Sequence, residues 1–218
     1  MCEDNPNEKS PYSSASPTVG TNDDVVQNDP TFPGDLFLYV FGRSKAAVKA
    51  SAASQGRVRR DCNGLNASST GLYWIESPGS CVIAQNSTVG SRGGPSSPPG
   101  SGPVILVFET SAEFRGGSDV WGLVVSADME RVLKSTGVTG TAPYYLYDDF
   151  TSPSPPTAAL HGTFTLHGAL IVEGNVTQQG ASGTYNLLYD PCVFAAMGAG
   201  TSFDQYGPVA GSWNDSIR

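Results

Sequence analysis

From residue 62 onward, apolar residues arrive in short bursts of strand length. LYWIE (72–76), PVILVFE (103–109), VWGLVVS (120–126), GTFTLHG (162–168), ALIVEG (169–174) and TYNLLYD (184–190) are rich in aromatic or branched side chains, and Gly, Ser, Asn or Asp separates most of them. That punctuation predicts short strands joined by turns. Ahead of them, LFLYVF (36–41) reads as a further hydrophobic strand. SKAAVKASAASQG reads as an alanine-rich helix near 44–55, with Ser44 as N-cap and Gly56 as its stop. SADMERVLKS (126–135) predicts one or two helical turns capped by Ser126, with Glu130 and Lys134 paired at i,i+4.

Residues 1–30 are polar and rich in Pro and Ser, with too little apolar surface to offset the entropy of ordering, and read as a flexible arm. Residues 31–218 then form a single β-rich domain. GGPSSPPGSGP (93–103) and SPSPPT (152–157) are loop insertions within it.

Two stretches resemble each other. GGSDVWGLVVS (116–126) aligns with GASGTYNLLYD (180–190), setting Trp121 over Tyr185, Leu123 over Leu187 and Val124 over Leu188, and ALIVEG is a looser third copy. Short strands repeated with glycine punctuation suggest stacked coils, each burying its inward side chains against the next. The expected fold is therefore mainly β, a parallel β-helix or β-solenoid-like domain with a short N-terminal helix. An ordinary sandwich with similar hairpins is the alternative. Trp121 and Tyr185 are expected in the core and not on a ligand platform.

Composition sharpens this picture. Gly 26 and Pro 16 beside 15% charged residues favour turn-rich β structure over helix. A net charge of -8 argues against nucleic acid or anionic lipid as partner, since both require a cationic surface. Six of the twelve basic residues nevertheless fall between Arg43 and Arg60, where no acidic residue occurs. This stretch reads either as a solvated helix face followed by a polar connector or as a contact for an acidic partner subunit or lipid headgroups. Cys2, Cys62, Cys81 and Cys192 lack the spacing of a metal site, and their even number leans toward disulfides and an oxidising compartment. A cytosolic protein with four free thiols is the alternative. The apolar runs are too short to span a bilayer, so the chain reads as an ectodomain separated from its targeting segment.

A search for catalytic chemistry yields little. GxSxG does not occur, and the two histidines, His161 and His167, would lie roughly 20 Å apart along one strand. The pairs Asp23–Asp24 and Asp148–Asp149 fall in the polar arm and at a Pro-rich loop, where solvated carboxylates are expected and not the desolvated acid of a glycosidase. The glycine-rich run at 90–102 lacks GK[ST], and its prolines remove amide donors that a phosphate would need. No cofactor is expected.

CNGLNASSTGLYWIESPGSC (62–81) is similar to the Cys–Leu–Ser-Gly-Leu-Tyr-Trp–Cys segment of PilX-type minor pilins of type IV pili. FPGDLFLYVFGRS, PVILVFE, LLYDPCV (187–193) and the terminal VAGSWNDS (209–216) fall in the same order as counterparts in that family, so the likeness covers roughly residues 30–218. Each motif is short, and their order carries the resemblance. It implies a non-catalytic subunit that primes pilus assembly through contacts with other minor pilins and a PilY-type tip adhesin, at the periplasmic face of the inner membrane or on the pilus. It also implies a Cys62–Cys81 disulfide. A Cys2–Cys192 bond is a weaker expectation. Arg43, Lys45 and Lys49, where the linking helix would emerge, become candidate partner contacts. The family's hydrophobic N-terminal helix and prepilin cleavage site do not occur in this sequence. A secreted β-helix adhesin or carbohydrate-binding module is the alternative, and a β-helix polysaccharide lyase or hydrolase a third reading.

Overall fold

The computed structural model describes residues 36–93, 100–129, 156–179 and 185–198. Along them run α1 (Leu36–Phe41), α2 (Lys45–Ser54), β1 (Val58–Asp61), β2 (Gly71–Ile83), β3 (Thr88–Val89), β4 (Val104–Phe108), β5 (Ala112–Phe114), β6 (Asp119–Ser126), β7 (Thr157–His161), β8 (Phe164–Val172), β9 (Asn175–Gln179), β10 (Tyr185–Leu188) and α3 (Pro191–Gly198). The protein is mainly β, as its patterning predicts. Every strand pairing is parallel, and the ten-stranded sheet curls into a half-barrel.

Register sorts the strands into three rows. Residues 71–75, 104–108, 122–126 and 168–172 lie side by side in the first. Residues 81–83, 112–114, 158–160 and 176–178 form the second. Residues 88–89, 119–120, 165–166 and 186–187 form the third. The chain visits the rows in that order and then returns to the first. The sequence repeat is thus real but shifted by three residues: Val120, not Leu123, shares a register line with Leu187, through Leu166. The ALIV of ALIVEG aligns instead with Leu123–Ser126.

The first row is buried on both faces, which explains runs such as VILVF that do not alternate with polar residues. Ile75, Val104, Leu106, Phe108 and Val124 point inward, into a core completed by Ile83, Phe114, Val89, Val120, Phe164 and Leu166. Leu72, Trp74, Ile105, Val107, Leu123 and Val125 point outward, into a second core beneath the three helices.

LFLYVF forms α1 and not a strand. A six-residue apolar run is ambiguous by periodicity alone, and helical winding sets Phe37 and Phe41 on one face, their rings stacked 4.3 Å apart. Both are fully buried against the first row, a gain of about 2 kcal/mol each. Helix α2 matches its prediction: the Ser44 hydroxyl accepts from the Ala47 amide, and Gly56, at φ +66°, follows the last turn. Ser126 caps no helix, being the last and fully buried residue of β6. The expected arm at 1–30, the Glu130–Lys134 pair, Asp23–Asp24, Asp148–Asp149 and the 209–216 motif lie outside the described residues.

The two ends of the coil differ. At the start, the loop after β1 inserts Cys62 and Leu65 into the inner core, and the Cys62–Cys81 disulfide ties it there, as the pilin resemblance implies. Arg57 braces this end by donating to the Thr70 carbonyl and lying over the Tyr73 ring. At the far end, Leu170 and Val172 are only partly buried, and Val176 and Leu187 are exposed.

Strands β6 and β8 pass from the third row into the first without interruption, turning at Gly122 and Gly168, which share a register line. Their φ values of +144° and +147° suit glycine alone, and a Cβ on Gly122 would stand 1.8 Å from the Val104 carbonyl oxygen. Gly122→Ala should therefore destabilise the domain by about 3 kcal/mol or more. Gly100→Ala, where a Cβ meets nothing within 4 Å, should cost about 1 kcal/mol through its positive φ. Urea unfolding of the two variants checks the ranking, and equal midpoints would contradict the corner geometry.

Candidate functional site

Two lysines of the basic stretch that the sequence offers for partner contact, Lys45 and Lys49, are turned toward the sheet, while Arg60 is exposed. Each first-row strand carries a residue just beyond its apolar run: Glu76, Glu109, Ala127 and Glu173. Helix α2 lies across these positions, and its two lysines, four residues apart, meet the carboxylates. Lys49 Nζ is 2.7 Å from Glu109 Oε1 and 3.4 Å from Glu76 Oε2. Lys45 Nζ is 2.6 Å from Glu173 Oε2 and donates to the Asp128 carbonyl at 2.7 Å. Glu109 also accepts from Trp74 Nε1 at 2.7 Å and from the Ser77 amide, while Glu173 accepts from the Asp128 amide. Lys45 and Lys49 are therefore engaged in ion pairs within the molecule, with Lys49 still partly exposed. The third candidate contact, Arg43, immediately precedes the Ser44 cap of the helix. The face that α2 turns to solvent carries Ala46, Ala47, Ala50 and Ala53.

Coulomb attraction and hydrogen bonding act on Glu109 against its surroundings. Burial pushes its carboxyl upward, but the bonds from Lys49, Ser77 and Trp74, together with the Lys49 charge, outweigh it and hold the group below its ordinary 4.5. Burial likewise depresses Lys49, and the bonds and charges of Glu109 and Glu76 override it, leaving the ammonium above 10.5.

A second polar cluster sits where the third row turns into the first. Register stacks Trp121 on His167, ring centroids 3.6 Å apart and planes 3° from parallel. His167 Nε2 is 3.9 Å from Asp119 Oδ1. Arg92 Nε bonds Asp190 Oδ2 at 2.9 Å, and Asp190 Oδ1 accepts the Cys192 amide at 2.8 Å, capping α3 with Pro191 in its first position. Burial holds His167 below its ordinary 6.5, against the pull of Asp119 and Asp190 and with help from Arg92. His167 is consequently neutral at pH 7.

Trp121 is thus half-buried at the rim of the outer core, because its alternation places it outward, between inward Val120 and the corner at Gly122. The Tyr185 side chain lies outside what is described. Each of the two stacked rings covers a face of the other, so a sugar could stack there only on what remains. His161 stands elsewhere, 3.5 Å from Glu113 on the second row, so the two histidines share no site. Cys192 is disulfide-bonded and offers no thiol; the expected pairing with Cys2 falls outside the described residues. Among the described residues no group of three or more His, Cys, Asp or Glu could hold a metal ion, and no helix is long and apolar enough to cross a membrane.

The ladder is the feature that sequence reasoning missed, although its signal was present. LYWIE, VILVFE and ALIVE all end in glutamate, and strands that stack in register bring such ends into one column.

A carboxyl depressed in the folded state adds stability above its unfolded pKa and loses it as pH falls through the folded value; a raised lysine adds stability below its unfolded pKa and loses it as pH rises through the folded value. The Lys49–Glu109 pair should therefore be fully engaged between about pH 5 and about pH 10. Lys49→Met, which leaves Glu109 short of a partner, should lower stability at pH 7 by about 2 kcal/mol and flatten the loss on acidification below pH 4.5. Urea titrations across that range check both effects, and an unchanged acid limb would mean that the pair is idle. No protein-family model, curated protein or solved structure matches this chain.

Proposed function

We propose that this chain is a non-catalytic subunit of a cell-surface assembly, a PilX-type minor pilin acting in the priming of a type IV pilus through contacts with other minor pilins and a PilY-type adhesin. We propose also that its three rows close into a short parallel β-helix of four coils, with the helices laid along one side. The observation that carries the reading is where the pilin-like segments fall. The span from Cys62 to Cys81 contains the disulfide-tied plug at one end of the coil, and the stretch from Leu187 to Val193 runs from the last strand into the capped start of α3. These segments build a frame, and the charged groups beside them are occupied in ion pairs within the chain. Such a body is suited to presenting surfaces. Lys45 and Lys49 act in this reading by holding α2 down, and the contacts with other subunits fall to the outer surfaces of the frame.

A secreted adhesin or carbohydrate-binding module remains the second reading, favoured by the half-exposed Trp121–His167 stack. Glycan binding lost in Trp121→Ala would support it.

In the organism that makes this protein, a deletion strain should lose most surface pili in sheared fractions and electron micrographs, and expression of the full-length protein should restore them. The tagged protein should retain other minor pilins on purification. Normal piliation in the deletion strain would overturn the assembly role.

A further inference from the structure

The turn that follows β1 holds the single Asn–Gly step of the sequence, Asn63–Gly64. Glycine has no Cβ to screen its amide nitrogen, so that nitrogen is open to the carboxamide carbon of the asparagine before it. Both residues are exposed. Among the described residues, the Gly64 amide donates to no acceptor and the Asn63 carboxamide has no hydrogen-bond partner. Asn66, three residues on, differs on each count. Its Oδ1 accepts from the Ser68 amide at 2.8 Å, its Nδ2 donates to the Gly64 carbonyl at 3.2 Å, and alanine follows it.

The fold adds an arginine to this step. Arg59 Nη2 donates to the Asn63 carbonyl oxygen at 2.6 Å, and that oxygen belongs to the same peptide as the Gly64 nitrogen. Loss of the Gly64 amide proton spreads negative charge onto that oxygen, where a bond from a guanidinium favours it. Asp61 Oδ1 accepts the Asn63 amide at 2.9 Å, so its carboxylate acts on the preceding peptide and not on the reacting one. The Leu65 amide donates to the Cys62 carbonyl at 3.2 Å, which fixes the turn from the other side.

We propose that Asn63 is a self-modification site, deamidated by attack of the Gly64 amide with Arg59 stabilising the attacking anion. Hydroxide removes the Gly64 amide proton, and the nitrogen bonds to Asn63 Cγ. The Cγ–Nδ2 bond breaks and ammonia leaves. Water then opens the cyclic imide at either carbonyl, giving aspartate or isoaspartate. The product adds a carboxylate close to Arg59, whose Nη2 lies 3.9 Å from where a Cβ on Gly64 would stand. Isoaspartate also routes the main chain through an additional methylene beside Cys62, in the loop tied by the Cys62–Cys81 disulfide. The start of the coil thereby changes its charge and its loop length with time, and no enzyme is needed. The proposal stands on this turn alone and does not rest on the pilin reading.

The test is incubation of the full chain at mildly alkaline pH, followed by peptide mapping that separates asparagine, aspartate and isoaspartate. Asn63 should convert faster than any other asparagine, at a rate that rises with hydroxide. In the folded chain Arg59→Met should slow the conversion roughly tenfold, and Arg59→Lys should keep part of the rate. In urea, where the bond to the Asn63 carbonyl is lost, both variants should match the wild type. Circular dichroism checks that each variant is folded, and Arg59→Lys carries the comparison if Arg59→Met is not. Asn63 left intact while another asparagine converts overturns the proposal. So do equal rates for the folded wild type and the arginine variants, which would leave the reaction to the Asn–Gly step alone.

Discussion

Parallel stacking in register is the constraint from which the rest of this molecule follows. When each pass of the chain lies beside the next with no offset, every side chain has as its neighbours the residues one pass before and after it. Apolar positions then merge into continuous columns, such as Val89, Val120 and Leu166. Glycine must stand above glycine where the chain turns, as Gly168 does beside Gly122. Rings fall on rings, and Trp121 meets His167 face to face because register leaves them no other arrangement. Charge falls near like charge for the same reason: Glu76 and Glu109 end adjacent strands, about 5 Å apart by strand spacing, and would repel without a cation between them.

Lys49 supplies that cation, and its placement explains why a helix belongs on this face. Helix α2 brings an apolar stripe, Val48 and Ala52, onto the outward side chains of the first row, while lysines one turn apart reach over the end of that row. The outer core and the ionic ladder therefore support each other. Apolar contact excludes water from Glu109, which raises the cost of its charge, and Lys49, Trp74 and the Ser77 amide offset that cost. Trp74 belongs to both systems, its ring in the outer core and its Nε1 on Glu109.

Much of this was legible in the sequence, and what was not fails for physical reasons. Most strands from LYWIE to TYNLLYD, the helix after Ser44 and the repetition of short units announce themselves through local pattern, although GTFTLHG and ALIVEG, expected as two strands, run on as the single β8. LFLYVF does not, because six apolar residues fit a strand or two helical turns equally well, and what decides is the outer core waiting for Phe37 and Phe41. Short strands such as Ala112–Phe114 are missed because three residues carry no period. Register escaped by three residues because the match of Trp121 to Tyr185 weighed side-chain likeness, whereas stacking follows turn length. The Arg43–Arg60 stretch contains no acidic residue, and the carboxylates that meet it come from other strands, at 76, 109 and 173.

The same stacking rule separates what this fold conceals from what it presents. Within the coil many charges are answered locally and act as braces: Lys45 with Glu173, Arg92 with Asp190, Glu113 with Arg115. A stack of finite length cannot treat its two ends alike, since the first pass lacks a predecessor and the last lacks a successor. Here the first carries a disulfide-tied loop and a strand bearing arginines, while among the described residues of the last pass Val176 and Leu187 are exposed. That difference gives the coil a direction, and the exposed Val176 and Leu187 keep the register of the core columns behind them.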